Sequence, residues 1–258
     1  MAAMVTRQPE ASIGLLKRVP GGQQRLGSPF HPREIALRRT VNVREFEMAQ
    51  SPVTVNQYAA FVASGGRSEK RWWGDMGWEW LIGEEQGWGR EDRSRPDRWE
   101  AQRDRPHHPV VGVTFYEAAA YCAWLSEQKK KTIRLPTEDE WERAARGEDG
   151  RPFPWGEAFD PALANTFESE RNDTVPAASI GGDVGPYGLR DMAGNVQQWM
   201  STHYQPLPEE AYPPGPLHVA RGGSYNDTAY GARTTYRRAY PPGYFFPFLG
   251  FRLVVEIR

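Results

Sequence analysis

The sequence predicts an α+β domain made of a few helices, short strands and long irregular loops. Three segments carry a helix-start signature, several short runs alternate like strands, and 22 Pro and 26 Gly in 258 residues require frequent turns. Hydrophobic residues make up 39% of the chain and are unusually aromatic, with 10 Trp, 11 Tyr and 11 Phe. A chain of this length can form one large domain with a substantial core.

Each helix start is a capping box, in which a threonine hydroxyl accepts from a backbone N–H and a Gln or Glu three residues later reaches back. These starts predict helices over residues 55–62, 115–129 and 138–146. Cys122 falls on the apolar face of the second helix with Ala118 and Leu125, so we interpret it as a packed core thiol. A single cysteine excludes an internal disulfide.

Strands are predicted where apolar and polar residues alternate, at residues 41–48, 217–221 and 251–255. Residues 66–108 form a Trp- and Arg-rich insert with no sustained period. Its arginine stems and Trp faces either stack structurally or form a cation–π platform for a ligand. The chain divides into an N-terminal extension, residues 1–17, and a single domain, residues 18–258.

Charge and hydropathy narrow the classes of function. With 32 basic and 33 acidic residues, the formal net charge is −1, which gives no electrostatic case for nucleic acid or a membrane surface. No apolar run approaches the roughly 20 residues needed to span a bilayer, and no signal peptide is evident, so a cytoplasmic protein is expected. The histidines show no helical ligand spacing; they are His31, His107, His108, His203 and His218.

The densest group of aromatic side chains lies between a Gly-Gly-Ser turn at residues 222–224 and a closing apolar strand. Such density is rarely left bare unless something binds it, and this segment has no cysteine or histidine to bind a soft metal or act as a nucleophile. We therefore predict a recognition surface on which half of the rings are exposed. The predicted ligand-binding residues are Tyr225, Asp227, Tyr230, Thr234, Tyr236, Tyr240, Tyr244, Phe245, Phe246 and Phe248. The expected anchors are Tyr230, Tyr240, Tyr244 and Phe245.

The order of several motifs is similar to that of the formylglycine-generating-enzyme, or sulfatase-modifying-factor, superfamily. The motifs are residues 19–22 (VPGG), 134–147 (RLPTEDEWERAARG), 187–196 (YGLRDMAGNV), 222–225 (GGSY) and 250–252 (GFR). The resemblance covers residues 18–257. It implies an elaborated C-type-lectin-like fold, with a small twisted antiparallel sheet, two main helices and extensive irregular loops.

The resemblance also bears on catalysis. Oxidase members of the superfamily use two cysteines in the C-terminal segment to bind copper, and the matching positions here are Asp227 and Ala232. Neither supplies a thiolate, so neither copper nor formylglycine formation is expected. In a second branch, which makes sulfoxides in ergothioneine-type pathways, histidines from an additional helical domain hold iron. The chain has no room for such a domain, so iron is not expected.

A third branch, the variable proteins of diversity-generating retroelements, resembles this chain in its C-terminal segment and displays ligand-binding side chains there. The leading hypothesis is accordingly a non-catalytic module that binds a protein or other ligand. Two alternatives stay open. One is an oxygen-dependent iron enzyme of the sulfoxide-synthase type, with metal ligands from a partner chain. The other is a pseudo-enzyme module in a signalling assembly.

The resemblance further implies a structural calcium site. Its matching ligands are the side chains of Asp191 and Gln198 and the backbone carbonyls of Gly194 and Val196, all of which are oxygens. Gln198 replaces the usual acidic residue, which predicts weaker binding. A second, shortened calcium loop would begin at Asn165. The alternative is that Asp191 and its neighbours only hydrogen-bond the loop.

Overall fold

The computed structural model describes residues 10–28, 34, 38–83, 93, 95–206, 210–212 and 214–257. The strands within these ranges are β1 (Leu16–Val19), β2 (Gly22–Leu26), β3 (Arg39–Val43), β4 (Phe46–Ala49), β5 (Ile133–Arg134), β6 (Gln197–His203), β7 (His218–Arg221), β8 (Arg237–Tyr240), β9 (Leu249–Gly250) and β10 (Val254–Val255). The α-helices are α1 (Val55–Ala63), α2 (Gly74–Ile82), α3 (Trp99–Arg103), α4 (Phe115–Lys129) and α5 (Glu138–Arg146).

The strands form three small sheets. The first has the order β1-β4-β10-β5, the second is the β2-β3 hairpin, and the third has the order β8-β7-β6-β9. All pairs are antiparallel except β6 with β9, which is parallel. The predicted mixture of helices with small antiparallel sheets is therefore confirmed. The first sheet begins at Leu16, two residues before the predicted start of the domain.

The three predicted helices form where the capping boxes placed them. In each, the threonine hydroxyl accepts from the backbone N–H three residues on, and the Gln or Glu returns a bond to the cap. The first helix ends one residue later than predicted, and α4 and α5 end as predicted. Cys122 is 4% exposed in the core, and burial raises the pKa of its thiol, as expected for an unreactive side chain.

Two strand predictions are wrong in their extent. The run 41–48 is split at residues 44–45, because β3 closes a hairpin with β2 whereas β4 joins β1 in another sheet. In the run 251–255, only β10 is a strand. Residues 251–253 cross between two sheets, and the carbonyls of Phe251 and Leu253 accept from the backbone N–H groups of Val53 and Ala49.

The insert at residues 66–108 contains α2 and α3, which the sequence analysis missed. Glycine and tryptophan are modest helix formers, and the buried Trp73 and Trp80 give only two turns of apolar period. The structural interpretation of its rings is supported: the Trp side chains buried against the core are Trp72, Trp73, Trp80 and Trp99. Residues 84–92 and 94 lie outside the described ranges.

Two apolar clusters support the third sheet from its two faces. One contains Trp199 and residues of α1 and α4, and the other contains Val219, Ala239 and the Trp141 ring of α5. Their burial fixes β6, β7 and β8, and hence the residues that these strands present. No helix in the described ranges combines the length and apolar character needed to cross a membrane.

Candidate functional site

Strand β8 presents the most prominent polar and aromatic side chains of the C-terminal segment. Tyr236, which precedes it, Arg238 and Tyr240 alternate with residues of the opposite face. On that face Ala239 enters the core, and the guanidinium of Arg237 lies 4.1 Å from the centre of the Tyr204 ring. The Arg238 side chain is 44% exposed, whereas Tyr236 and Tyr240 are half-buried.

The carboxylate of Asp227 holds the side chains of this face in place through hydrogen bonds. Its Oδ1 accepts from Nη2 of Arg238 at 2.9 Å, and its Oδ2 accepts from Nε2 of Gln197 at 2.8 Å and from Oγ of Ser224 at 2.7 Å. The Tyr240 hydroxyl donates to Oε1 of Gln197 at 2.9 Å, and burial raises the pKa of Tyr240 to about 12, so the hydroxyl stays protonated. Burial opposes the charge on Arg238, but the Asp227 carboxylate outweighs it and raises the pKa of the guanidinium.

Asp227 and Ala232 are the residues that the resemblance matches to the cysteine pair of the oxidase branch. Asp227 is 8% exposed and makes three hydrogen bonds, and Ala232 is fully buried. A hydrogen-bonded carboxylate and a methyl group cannot replace two thiolates, because neither is a soft ligand or a strong nucleophile at neutral pH. The arrangement can orient a bound molecule through hydrogen bonds and ring contacts.

Fewer rings are exposed than predicted. Tyr230 is 42% exposed, and the other seven rings are half-buried. The reason is that the rings pack on one another and on the core: Phe246 stacks on Phe248 at 5.2 Å and contacts the Tyr240 ring at 5.1 Å. Tyr244 also contacts Phe246, at 6.3 Å. The loop that carries these rings is thus anchored by part of its own aromatic content.

Tyr230 and Tyr236 form the most accessible aromatic pair. Their ring centres lie 5.2 Å apart in an edge-to-face arrangement, and the guanidinium of Arg233 lies 4.2 Å from the centre of the Tyr230 ring. Tyr225 is half-buried, with its backbone N–H bonded to the Asn195 carbonyl. Thr234 does not reach the surface: it is fully buried, and its hydroxyl donates to a backbone carbonyl.

The sequence analysis missed Phe167. This ring is 59% exposed in the loop after Asn165, and its backbone N–H donates to the Asp227 carbonyl at 2.9 Å. The neighbouring Glu168 accepts from the backbone N–H of Ala229 at 2.7 Å, which joins the two loops. A lone Phe among polar loop residues was the available signal. We define the recognition surface by its members Phe167, Tyr225, Tyr230, Tyr236, Arg238 and Tyr240.

The predicted calcium ligands Gln198 and Asp191 are already engaged in hydrogen bonds within the protein. Oε1 of Gln198 already accepts from Nε1 of Trp141 at 2.9 Å and from Nε of Arg252 at 2.7 Å, which uses both of its acceptor positions. Asp191 is 1% exposed, and its Oδ2 accepts from the backbone N–H of Ala178 at 2.7 Å. The Gly194 carbonyl accepts a hydrogen bond from the backbone N–H of Val196. These contacts support the alternative of a loop held by hydrogen bonds.

The Arg252 guanidinium supplies a positive charge at the same place. Its Nη2 donates to the backbone carbonyls of Arg190 and Asp191, and its Nη1 donates to those of Ala49 and Gln50. Two backbone oxygens of this loop, those of Arg190 and Asp191, therefore already contact a buried cation, and neither is one of the predicted ligand atoms. Calcium needs several oxygens that are free to turn toward it.

The second predicted calcium loop is also tied by protein contacts. Nδ2 of Asn165 donates to the carbonyl of Asp173 at 2.9 Å, and the Asp173 carboxylate pairs with Arg105 at 2.7 Å. Within the described ranges, no group of three or more His, Cys, Asp or Glu side chains could hold a metal ion. His203 and His218 lie 4.4 Å apart between ring centres, and His31 lies outside the described residues.

Comparison with known proteins agrees with this architecture. The family described as the sulfatase-modifying factor enzyme 1-like domain matches residues 2–257. The chain is 29% identical over 239 residues to a hercynine oxygenase of Mycolicibacterium thermoresistibile, covering 84% of this chain and 52% of that protein. It is 36% identical over 165 residues to the inactive Cα-formylglycine-generating enzyme 2 of Bos taurus, covering 58% of this chain and 51% of that protein. The chain thus spans about half the length of these two relatives.

A solved structure shows the same fold. Variable protein 1 of Treponema denticola superimposes with a TM-score of 0.70 at 20% identity, covering 94% of this chain and 95% of that one. This agreement, together with the family match, confirms the predicted C-type-lectin-like architecture.

Proposed function

Since the chain belongs to the family of sulfatase-modifying factor enzyme 1-like domains, we propose that it uses this fold as a non-catalytic module that binds a protein or other ligand through the recognition surface. The proposal includes ligand display of the kind carried out by variable proteins of diversity-generating retroelements. It assigns no reaction to the site, because fold alone does not determine function.

The single observation that carries this proposal is the hydrogen bonding of the Asp227 carboxylate. A carboxylate with hydrogen bonds from Gln197, Ser224 and Arg238 stands where the oxidase branch has a cysteine. These three hydrogen bonds occupy most of the roughly four acceptor positions of the carboxylate, which leaves little of it to bind a metal. The network instead favours a fixed platform for recognition.

The surface also has the physical properties of a preorganised binding site. Asp227 fixes Arg238 beside the ring of Tyr236, and Gln197 fixes the Tyr240 hydroxyl. Side chains already held in one rotamer lose less entropy when a ligand binds, and Tyr and Arg are frequent hot-spot residues. Phe167 and Tyr230 add exposed ring area next to this fixed part.

The test is partner capture from native lysate by three forms of the protein. The first is the wild type, and the second is the double variant Phe167→Ala/Tyr230→Ala. The matched control is Met76→Ala/Ile82→Ala, which removes two similarly exposed apolar side chains from α2. The proposal expects the control to capture the same partner as the wild type and the surface variant to lose it. Retention by the surface variant, with all three forms folded, would place the binding site elsewhere.

The second candidate is an oxygen-dependent iron enzyme of the sulfoxide-synthase type, and the similarity to a hercynine oxygenase favours it. The described residues hold no three-ligand metal cluster, so part of the ligand set would have to come from outside them or from a partner chain. Metal analysis of the protein purified without chelators separates the two candidates. Iron in a one-to-one ratio, together with oxygen consumption, would favour the enzyme over the binding module.

A further inference from the structure

A second concave site lies away from the Asp227 network, between the β2-β3 hairpin and the C-terminal end of α5. It is a cleft of about 840 Å³, within the range of small-molecule sites. Its most frequent lining side chain is arginine: Arg25, Arg38, Arg39, Arg146 and Arg233 all border it. None of the described residues that line it is aromatic.

Acidic side chains also line the cleft, but two of them are neutralised from outside it. Glu148 accepts from Arg143 at 2.8 Å, and Asp149 pairs with Arg151. Neither Arg143 nor Arg151 lines the cleft. The lining acid that has no ion pair among the described residues is Glu157. Glu157 is therefore the one acid of the described lining left to offset the arginines, of which Arg39, Arg146 and Arg233 are themselves paired with acids outside the lining.

Two of the arginines are exposed and unpaired. Arg25 and Arg38 have no ion pair within 4.0 Å in the part of the chain that the structure describes, whereas Arg39 pairs with Asp139 and Arg233 with Glu34. Unpaired guanidinium groups at the rim leave donors available to a ligand.

The wall of the cleft adds a buried cation. Arg146 is 5% exposed, and its Nη1 donates to Glu142 and to the Gly27 carbonyl, both at 2.8 Å. Its Nη2 donates to the Gly150 carbonyl, while its Nε is buried without an acceptor among the described residues. This rigid guanidinium contributes positive potential that its partners only partly satisfy.

We propose that this cleft binds a small anion that carries two or more phosphate groups. Guanidinium forks match phosphate oxygens in geometry and charge, and several of them around one cleft suit a multivalent anion. The absence of a described aromatic side chain from the lining gives a nucleobase no ring to stack on. Arg233 borders the cleft and also lies over the Tyr230 ring, so it connects the cleft to the recognition surface.

The test is calorimetric titration of the whole chain with inorganic pyrophosphate at low salt. The expected result is one binding site for pyrophosphate, weaker binding of orthophosphate, and weaker binding of both as ionic strength rises. The double variant Arg25→Gln/Arg38→Gln is expected to weaken pyrophosphate binding by about tenfold or more, because two charge-assisted contacts are lost. The control is Arg44→Gln, an exposed arginine that does not line the cleft, and it is expected to bind like the wild type.

Three results would overturn the proposal. The first is that the folded wild type does not bind pyrophosphate. The second is that Arg25→Gln/Arg38→Gln binds it as tightly as the wild type. The third is that Arg44→Gln weakens binding as much as the double variant does, which would indicate only the general charge of the surface. If the double variant does not fold, Arg38→Glu alone is measured, with the same expected loss. A duplex DNA fragment is titrated in parallel; tight DNA binding without pyrophosphate binding would make the cleft part of a macromolecular surface and the proposal wrong.

Discussion

Nη2 of Arg238 lies 2.9 Å from Oδ1 of Asp227, so a side chain of β8 is tied to the loop that follows the Gly-Gly-Ser turn. The pair holds the guanidinium beside the Tyr236 ring, and 44% of the Arg238 side chain stays exposed. In the proposed function this pair orients the guanidinium for a ligand, and the identity of Asp227 leads to the first prediction.

The protein is expected to lack formylglycine-generating activity. Asp227 and Ala232 provide no thiolate for copper, and Ala232 is fully buried. A cysteine-containing sulfatase peptide incubated with the protein, copper and oxygen should keep its mass. An active formylglycine-generating enzyme serves as the positive control, and conversion above the level without protein would sink the prediction.

The melting temperature is expected to be the same in chelator and in millimolar calcium. The oxygen of Gln198 is already saturated, and the Arg252 guanidinium lies against the loop carbonyls. Asp191→Ala should lower the free energy of unfolding by about 1–3 kcal/mol with or without calcium, because it leaves the backbone N–H of Ala178 unsatisfied. A chelator-induced drop in the wild type that disappears in Asp191→Ala would show that calcium binds there after all.

The contribution of His218 to stability is expected to fall as the pH is lowered through the range from about 6.5 to about 4. Burial, followed by the nearby His203, lowers the pKa of His218 from its ordinary 6.5 to about 4. The folded state therefore resists a proton that the unfolded state binds, and the stability present above pH 6.5 decreases by up to about 3 kcal/mol near pH 4.

This pH dependence can be measured by urea unfolding of His218→Gln beside His107→Gln, an exposed-histidine control. The slope of unfolding free energy against pH between 6.5 and 4 should be shallower for His218→Gln and unchanged for His107→Gln. The buried Asp183 and Asp191 have raised pKa values and act in the opposite sense, but both variants keep them. Equal slopes in all three proteins would remove His218 from the explanation.

Stability and recognition are expected to depend on different aromatic residues. Trp141 is fully buried and donates to Gln198, so Trp141→Ala should cost about 3–5 kcal/mol. Phe167 is 59% exposed, so Phe167→Ala should change stability by less than about 0.5 kcal/mol. Thermal and urea unfolding of the two variants check this; a large loss from Phe167→Ala would mean that the ring is part of the packing.

Local signals in the sequence predicted what local chemistry determines. The capping boxes at Thr54, Thr114 and Thr137 placed three helices, because those bonds are made within four residues. Long-range pairing could not be seen in the same way. The split at residues 44–45 depends on two different partner strands, β2 and β1, and no local pattern shows a change of sheet.

In the candidate site, too, contacts between residues distant in sequence could not be predicted from local patterns. Chain composition identified the aromatic segment, but the packing of Phe246 on the core and its stacking on Phe248 come from folding. Phe167 was missed because a loop distant in sequence brings it beside Asp227. The calcium prediction was made from one loop alone, whereas folding brings Arg252, from the end of the chain, against the backbone carbonyls of Arg190 and Asp191.

The central claim is that the recognition surface binds a ligand. The most direct test is the affinity of the protein for the captured and purified ligand, measured by calorimetry. The wild type and the control Met76→Ala/Ile82→Ala should bind with the same dissociation constant. The Phe167→Ala/Tyr230→Ala variant should stay folded and bind more weakly by about 1–4 kcal/mol, which is roughly fivefold to 1,000-fold. Unchanged affinity in the folded surface variant would contradict the account and transfer the binding site to another part of the molecule.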